Sequence, residues 1–469
     1  MNRPAEGPAN SSSQATSGAN GGAVTAGAGR GFFGLLRGIG PAIITASVVI
    51  GPGSILTASK IGHQYAYSMV WIPVMALVLM LGTTAASAWL GVTLKGTLCE
   101  ELARRTGRPI AILAGVALFV AAASFQFGNN LGVIAAIEPF YDTGFALPIA
   151  AIVGLNALVI AALFGLGRLY VPLEVLMKVL MGLMLIGFAG NLILSQPDVA
   201  KIVDGLVPRL PPDALASVLP HWQPETIVDG KPVKAHVIDP LGLVTAMLAT
   251  TYSLGGAFYQ SYLVRKKGWT SRDLRRGFVD TAIGIGTLSL VTLMIMITAA
   301  SVLHGQEGLE LDSAADVARQ LKPAFGAQAA RILFCVGIFA AAFSSFLVNA
   351  MIGGTVLSDG LGLGGDIDTR WPKVCTLLVL MTGMTVAVGM KVLDVDKPVN
   401  LIVFAQGVTV VGVPVLAAAM LYLAIASRKE GPRPVPMWMR CVLAVGLVLV
   451  LFLSVRTAVA LVLPLLHGS

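Results

Sequence analysis

Charge is what this chain lacks. Only 12% of its 469 residues are Asp, Glu, Lys or Arg, against 56% that are hydrophobic. A mean hydropathy of +0.82 lies far from the usual soluble balance. Histidine is sparse too: His63, His221, His236, His304 and His467 are the five, and none falls in the core of an apolar run. The four cysteines, Cys99, Cys335, Cys375 and Cys441, are scattered, with no CxxC and no His nearby. No thiol–imidazole metal site can be built from that spacing, and small apolar fillers are the plainer reading. No Ser/His/Asp, Cys/His or paired-carboxylate set is visible, and no nucleotide loop accompanies a strand pattern. These shortages argue against an enzyme, against a primary pump within this chain, and for no cofactor.

Apolar length is abundant. Eleven runs approach the roughly 20 residues that cross a bilayer: about 39–63, 68–93, 109–136, 147–166, 172–194, 240–264, 277–303, 327–351, 374–391, 399–426 and 438–465. The pattern predicts an all-α polytopic membrane protein of about 11 transmembrane helices, with the lipid bilayer as its first partner. Residues 1–30 are rich in Gly, Ala, Ser and Asn and are expected to be a disordered tail. The tail has no apolar core and no cleavage-like ending, so a signal peptide is not expected. Lys and Arg gather in alternate loops, at 95–108, 265–276, 370–373 and 428–440. By the positive-inside rule the N-terminus is cytoplasmic and the C-terminus outside, most simply in a bacterial inner (plasma) membrane. The net charge of +8 is therefore a topology signal; spread over separate loops, it does not suit nucleic acid.

Two of the runs are broken at equivalent places. The first, Ile43–Ile61, is interrupted by Gly51-Pro52-Gly53-Ser54; the second, Leu241–Val264, by Tyr252-Ser253-Leu254-Gly255-Gly256. Unwound backbone at membrane depth is tolerated only where it is buried in protein or lines a cavity. Matching breaks in two halves point to the midplane site of a secondary transporter built from inverted repeats. The halves are read as about 39–194 and 240–426 within a core of 31–427. A Pro-rich outer loop, 195–239, joins them, and an extra span lies in 428–469. Asp312–Phe325 reads as a short amphipathic helix on the outer face, with Val317, Leu321 and Phe325 at i, i+4, i+8.

At this point the residues resemble a known family. Gly40-Pro41, Gly51-Pro52-Gly53-Ser54, Asp280, the run Phe339-Ala340-Ala341-Ala342-Phe343-Ser344-Ser345 and Gln406 are similar to the natural resistance-associated macrophage protein (NRAMP) metal transporters. The resemblance implies the leucine-transporter fold with a 5+5 inverted repeat, spans 1, 2, 6 and 7 rocking against 3, 4, 8 and 9, and a divalent cation as substrate. The departures fall on the chemistry. Where the family carries Asp-Pro-Gly-Asn, this chain has Gly51 and Ser54. Where the family has Met-Pro-His, it has a stretch within Ser253–Phe258. The family's span-3 acid is replaced by Gln126.

What remains near the breaks is neutral. The candidate binding residues are Gly51, Ser54, Gln126, Asn130, Tyr252, Ser253, Gly256, Gln260 and Gln406, with Asn129 beside them and no metal ligand set assigned. Neutral oxygens suit a still-hydrated divalent ion better than a stripped transition metal. The second half-helices are expected to begin near Ser54 and Gly256, with free N–H groups that could receive an anion. A carrier of a small organic solute such as an amino acid, or a transport-dead scaffold, are the rival readings. Asp280 is a gate or ion-path candidate, with a salt bridge to Arg275 or Arg276 as the alternative, and a coupling ion is left open. Glu174–Lys178 reads as a helix pair, and Arg456 as an interface residue outside the repeat.

Overall fold

A segment crossing hydrocarbon has no water to satisfy its peptide groups, so it must bond them internally as helix. The structure, a computed structural model, follows that rule. It describes residues 51–140, 146–164, 182, 185–214, 217–228, 231–233, 235–306, 308–393, 398–430 and 434–467. The tail 1–30, the first half of span 1 and the Glu174–Lys178 pair lie outside the described residues.

Helices α1 (Pro52–Tyr65) and α2 (Trp71–Thr93) are followed by the short α3 (Leu98–Thr106). Next come α4 (Arg108–Ile137), α5 (Ala146–Phe164), the apolar stretch α6 (Leu185–Leu194) and the short α7 (Val199–Asp204). The second half holds α8 (Gly242–Thr251), α9 (Leu254–Lys266), α10 (Leu274–Val302), the short α11 (Ala314–Ala318) and α12 (Lys322–Gly360). It ends with α13 (Arg370–Val392), α14 (Pro398–Val408), α15 (Val413–Glu430) and α16 (Met437–His467). Each of the eleven apolar runs thus contains helix, and the chain is an all-helical polytopic membrane protein. Among the described residues seven helical segments are long and apolar enough to cross a membrane unaided. The other four are span 6, interrupted into α8 and α9 of 10 and 13 residues, span 4, whose apolar helix Ala146–Ala161 is shorter, and spans 1 and 5, which are described only in part.

The Pro-rich loop between the halves holds regular structure despite its prolines. Two nested antiparallel ribbons pair β1 (His221–Gln223) with β4 (His236–Ile238), and β2 (Thr226–Val228) with β3 (Lys231–Val233). Trp222 of β1 stacks on His467 at the end of α16, 4.8 Å between ring centres. The expected helix at Asp312–Phe325 is shorter than its periodicity: α11 opens on a Ser313/Asp316 capping box, and a 3₁₀ turn at Arg319–Leu321 leads into α12. Val317 and Leu321 are buried, but Phe325 is exposed, because it already belongs to α12.

Packing is set by small residues. Helix α12 lies along α4, where a Cβ on Gly115 would stand 3.0 Å from the Val356 carbonyl and one on Gly360 2.5 Å from the Ala111 carbonyl. Backbones that close are how membrane helices gain contact without a hydrophobic drive between them. Arg456 of α16 is buried and paired. It bonds Asp239, the Val218 carbonyl and, at 3.0 Å, Thr245 Oγ1, tying the last span to the outer loop and to α8. Cys99, Cys335 and Cys375 are buried as fillers, whereas Cys441 is exposed; burial pushes the Cys99 thiol up to about 12.

The end that carries the basic loops is ionic. Glu101 of α3 accepts from Arg104 at 2.5 Å, from Arg105 at 3.2 Å and from the Gly96 N–H at 3.2 Å. Burial opposes its ionisation, but these three donors together hold its carboxyl below the usual range. Arg265 of α9 donates to the carbonyls of Leu94 and Lys95 beyond the end of α2. Asp359 of α12 accepts from Thr97 Oγ1 and from the Tyr262 hydroxyl, each at 2.6 Å.

Candidate functional site

The site begins at the break in span 1. Gly51 is the extended N-cap of α1 (φ −116°, ψ 176°), and Pro52 opens the helix, where its missing N–H costs nothing. Glycine lets side chains approach closely at Gly51 and is needed for that at Gly53. A Cβ on Gly51 would lie 3.2 Å from Ser345 Oγ and 3.6 Å from Asn129 Oδ1, and one on Gly53 would overlap the side chain of Gln406. Spans 3, 8 and 10 therefore send Asn129, Ser345 and Gln406 to the same stretch of backbone.

Those side chains are held by an amide network. Gln126 Nε2 donates to the Phe346 carbonyl, and Asn129 Nδ2 donates to Gln126 Oε1 at 3.3 Å. With its NH₂ committed to Gln126, Asn129 turns its oxygen to the break. Asn130 Nδ2 donates to the Gln126 carbonyl at 2.8 Å and its oxygen accepts from Asn156 at 2.7 Å. Asn349 Nδ2 donates to Ser345 Oγ at 2.8 Å. Gln406 is 2% exposed, and its Oε1 has no hydrogen-bond partner among the described residues. A buried acceptor left open costs stability unless something fills it. Every group named in this cluster is neutral.

The second break lies between α8 and α9, at Tyr252-Ser253. The half-helices start at Pro52 and Leu254, two residues earlier than expected from sequence, and the N–H groups of Ser54 and Gly256 are already bonded. Ser54 N donates to the Gly51 carbonyl and Gly256 N to Ser253 Oγ. Ser253 is a helix cap, which uses the hydroxyl for the backbone. The Tyr252 hydroxyl turns away to Thr83 Oγ1 (3.1 Å) and sits against Gly446 of α16. Around Ser253 is a small cavity of about 30 Å³, lined by Ala122 and Phe125 of α4, Asn349 of α12 and Thr409 beyond α14, among others. That volume is enough for about a water molecule. Asn349 belongs to both clusters, so one side chain links the cavity wall to the amide network.

The sequence candidates divide accordingly. Gly51, Gln126, Asn130 and Gln406 come together; Ser54 is buried one turn into α1; Ser253 and Tyr252 line the cavity. Gly256 receives the cap of Ser253. Gln260 is buried in α9, six residues past the break and about 9 Å along the helix. Asp280 lies on α10, and its side chain is outside the described ones. Sequence reasoning missed Ser345, Asn349, Asn156 and Thr409. The signal for the first two was present, a polar residue and an Asn one turn apart in an apolar span. Nothing local marked Asn156 or Thr409. A third break went unseen: span 10 is divided between α14 and α15 at 409–412, where Gly412 lets the Ala117 carbonyl of α4 approach.

Among the described residues no group of three or more His, Cys, Asp or Glu could hold a metal ion. The site offers instead amide and hydroxyl oxygens from three spans beside unwound backbone.

This arrangement has relatives. The chain is 24% identical over 395 residues to the divalent metal cation transporter MntH of Deinococcus radiodurans, covering 84% of this chain and 82% of that one. It is 25% identical over 360 residues to MntH of Chromohalobacter salexigens, covering 74% and 76%. Its fold matches the crystal structure of the Eremococcus coleocola manganese transporter in complex with an aromatic bis-isothiourea substituted compound, with a TM-score of 0.68 at 20% identity over 93% and 88% of the two chains. Mhp1, a nucleobase-cation-symport-1 family transporter, matches with a TM-score of 0.50 at 13% identity over 91% and 90%. The family described as natural resistance-associated macrophage protein-like matches residues 42–460, and with nine-tenths of the sequence inside that match, the chain belongs to the Nramp family.

Proposed function

We propose that this protein is a secondary transporter that moves a divalent metal cation across the membrane by alternating access, through a site of neutral oxygens at the breaks of spans 1 and 6. The assignment to divalent cations rests on family membership and on the MntH relatives. The observation that carries the site is Gln406, whose side chain packs against Gly53 and whose buried Oε1 has no hydrogen-bond partner among the described residues. Hard cations take oxygen ligands, and Mg²⁺ in particular keeps several of its waters. Without an anionic or soft ligand in the cluster, the ion crosses partly hydrated, and thiophilic metals gain no advantage. In this reading the chain sits in a bacterial inner membrane with the N-terminus cytoplasmic.

The organic-anion alternative is less favoured. It would draw on the N–H groups at the half-helix starts, of which those of Ser54 and Gly256 are already bonded, and the family and its MntH relatives point to a metal cation instead.

The test is uptake into proteoliposomes of the purified full chain, with Mn²⁺ read by quenching of a trapped dye and Mg²⁺ read by its own indicator. Saturable uptake of either ion, reduced in Gln406→Leu, is the expected result. Uptake no faster than in empty liposomes for both ions would overturn the proposal.

A further inference from the structure

A second cavity lies between α2, α10 and α16 and shares no lining residue with the cavity at the break. Its volume is about 260 Å³, close to the lower end of ligand pockets, roughly 300 Å³. Thr84, Ala85, Ala88 and Trp89 of α2 form one wall; Leu274, Gly277, Phe278 and Thr281 of α10 form the second; Trp438 and Met439 of α16 form the third. Ser271 and Arg275 stand at its mouth.

The position of each group relative to the membrane span is informative. The apolar part of α10 begins at Gly277, so Ser271 and Arg275 lie just outside it, while Phe278 and Thr281 lie within. Trp438 falls in the first turn of α16 and Trp89 in the last turn and a half of α2. The cleft therefore straddles the membrane boundary, polar at one end and apolar along its length. Trp438 and Phe278 meet edge to face, 6.5 Å between centres, and both are exposed. Indole rings at that depth sit where headgroups meet acyl chains.

Two polar groups are open. The Thr84 hydroxyl is buried on the floor, 1% exposed, with no hydrogen-bond partner among the described residues. Arg275 is exposed at the mouth and makes no hydrogen bond or ion pair among the described residues. The loop before it also carries Lys267, Arg272 and Asp273, while Lys266 at the end of α9 is paired with Asp366 and Asp368.

We propose that this cleft binds one phospholipid with an anionic headgroup. The phosphate meets Arg275 and Ser271, and an acyl chain runs along Ala85, Ala88 and Phe278. Charge decides the occupant. A basic mouth on an apolar cleft complements a negatively charged amphiphile, and each basic side chain near a membrane surface adds about 1 kcal/mol, or roughly fivefold, for such a lipid.

The probe is phosphatidylglycerol with brominated acyl chains, titrated into the full-length protein in detergent, with brominated phosphatidylcholine as the parallel arm. Bromine quenches tryptophan at contact, and Trp89 and Trp438 line the cleft. The expected result is a saturable quenching phase at about fivefold lower concentration for phosphatidylglycerol than for phosphatidylcholine. Arg275→Gln should remove the difference between the lipids, and the Trp89→Phe/Trp438→Phe double variant should remove the saturable phase. Ala88→Leu, filling the cleft, should do the same; if it does not fold, the other two variants still decide. Equal, non-saturating quenching by both lipids, or a saturable phase that survives the loss of both tryptophans, would mean only general lipid or detergent contact and overturn the proposal.

Discussion

The two broken helices occupy equivalent places in the sequence but are built differently. At span 1 the break is made by Gly51 and Pro52, and no side chain caps the helix. The bare backbone there is what Asn129, Ser345 and Gln406 approach. At span 6 the break caps itself: Ser253 bonds Gly256, and Tyr252 is held by Thr83. The same span is braced at its outer end by Arg456, which bonds Asp239 and Thr245. Span 1 thus exposes its break to the site, and span 6 secures its break against neighbouring helices. The first has polar side chains packed directly against its glycines from three other spans, so ligand binding should depend on span 1 and stability on span 6.

The largest test of that division is Arg456→Met. Removing one partner of a buried pair costs about 3–5 kcal/mol; with Asp239 a quarter exposed, the loss belongs at the low end. A marked fall in melting temperature is expected, with the half-saturation concentration for the ion little changed in the protein that remains folded. Next comes the span-1 break. Gly53→Ala would push Gln406 out of its place, and because that side chain can swing away, uptake should drop at least tenfold with little change in melting. Gln406→Leu should raise half-saturation roughly tenfold, the scale of one hydrogen bond to a charged group, ~1.5–3 kcal/mol. It should leave stability unchanged or slightly higher, since an unpaired buried oxygen has gone. A shift in melting as large as that of Arg456→Met would make Gln406 structural.

Smaller effects sharpen the contrast. Ser253→Ala removes a cap whose bond is long, 3.4 Å, so a cost near ~0.5 kcal/mol is expected, at the low end for caps. Thermal melting should register it while ion affinity stays within error. The smallest effect is at the ionic end. The Glu101 carboxyl is lowered, so its contribution is fully present above the unfolded value of about 4.3 and is lost as pH falls through its folded one. Melting followed from pH 7 to pH 3 should fall less steeply in Glu101→Gln than in the unaltered protein.

The family resemblance carried by Gly51-Pro52-Gly53-Ser54 and the serine-rich span 8 pointed to this fold, and the Nramp match agrees. Interrupted span 6 was legible because Ser253 and two glycines interrupt an apolar run, and both propensity and capping are local. Interrupted span 10 was not, since Thr409–Gly412 is apolar enough to pass for helix. What opens it is the close approach of α4 at Gly412, a contact from almost 300 residues away. The outer ribbons were hidden likewise, because three-residue strands carry too little pattern.

By itself the sequence determined that the chain lives in a bilayer, that it crosses many times, and that spans 1 and 6 are interrupted, because these follow from runs of apolar residues and from Gly, Pro and Ser within them. It also determined that the candidate site is uncharged. Only the tertiary structure decided which neutral groups meet. Ser345, Asn129 and Gln406 are separated by between 61 and 277 positions, and nothing local tells an amide that faces a lipid-filled gap from one that faces Gly53. Only packing decides that. Arg456 shows the same limit from the other side: a lone cation in an apolar span is read as costly, and the Asp239 that accounts for it lies beyond the reach of any local pattern.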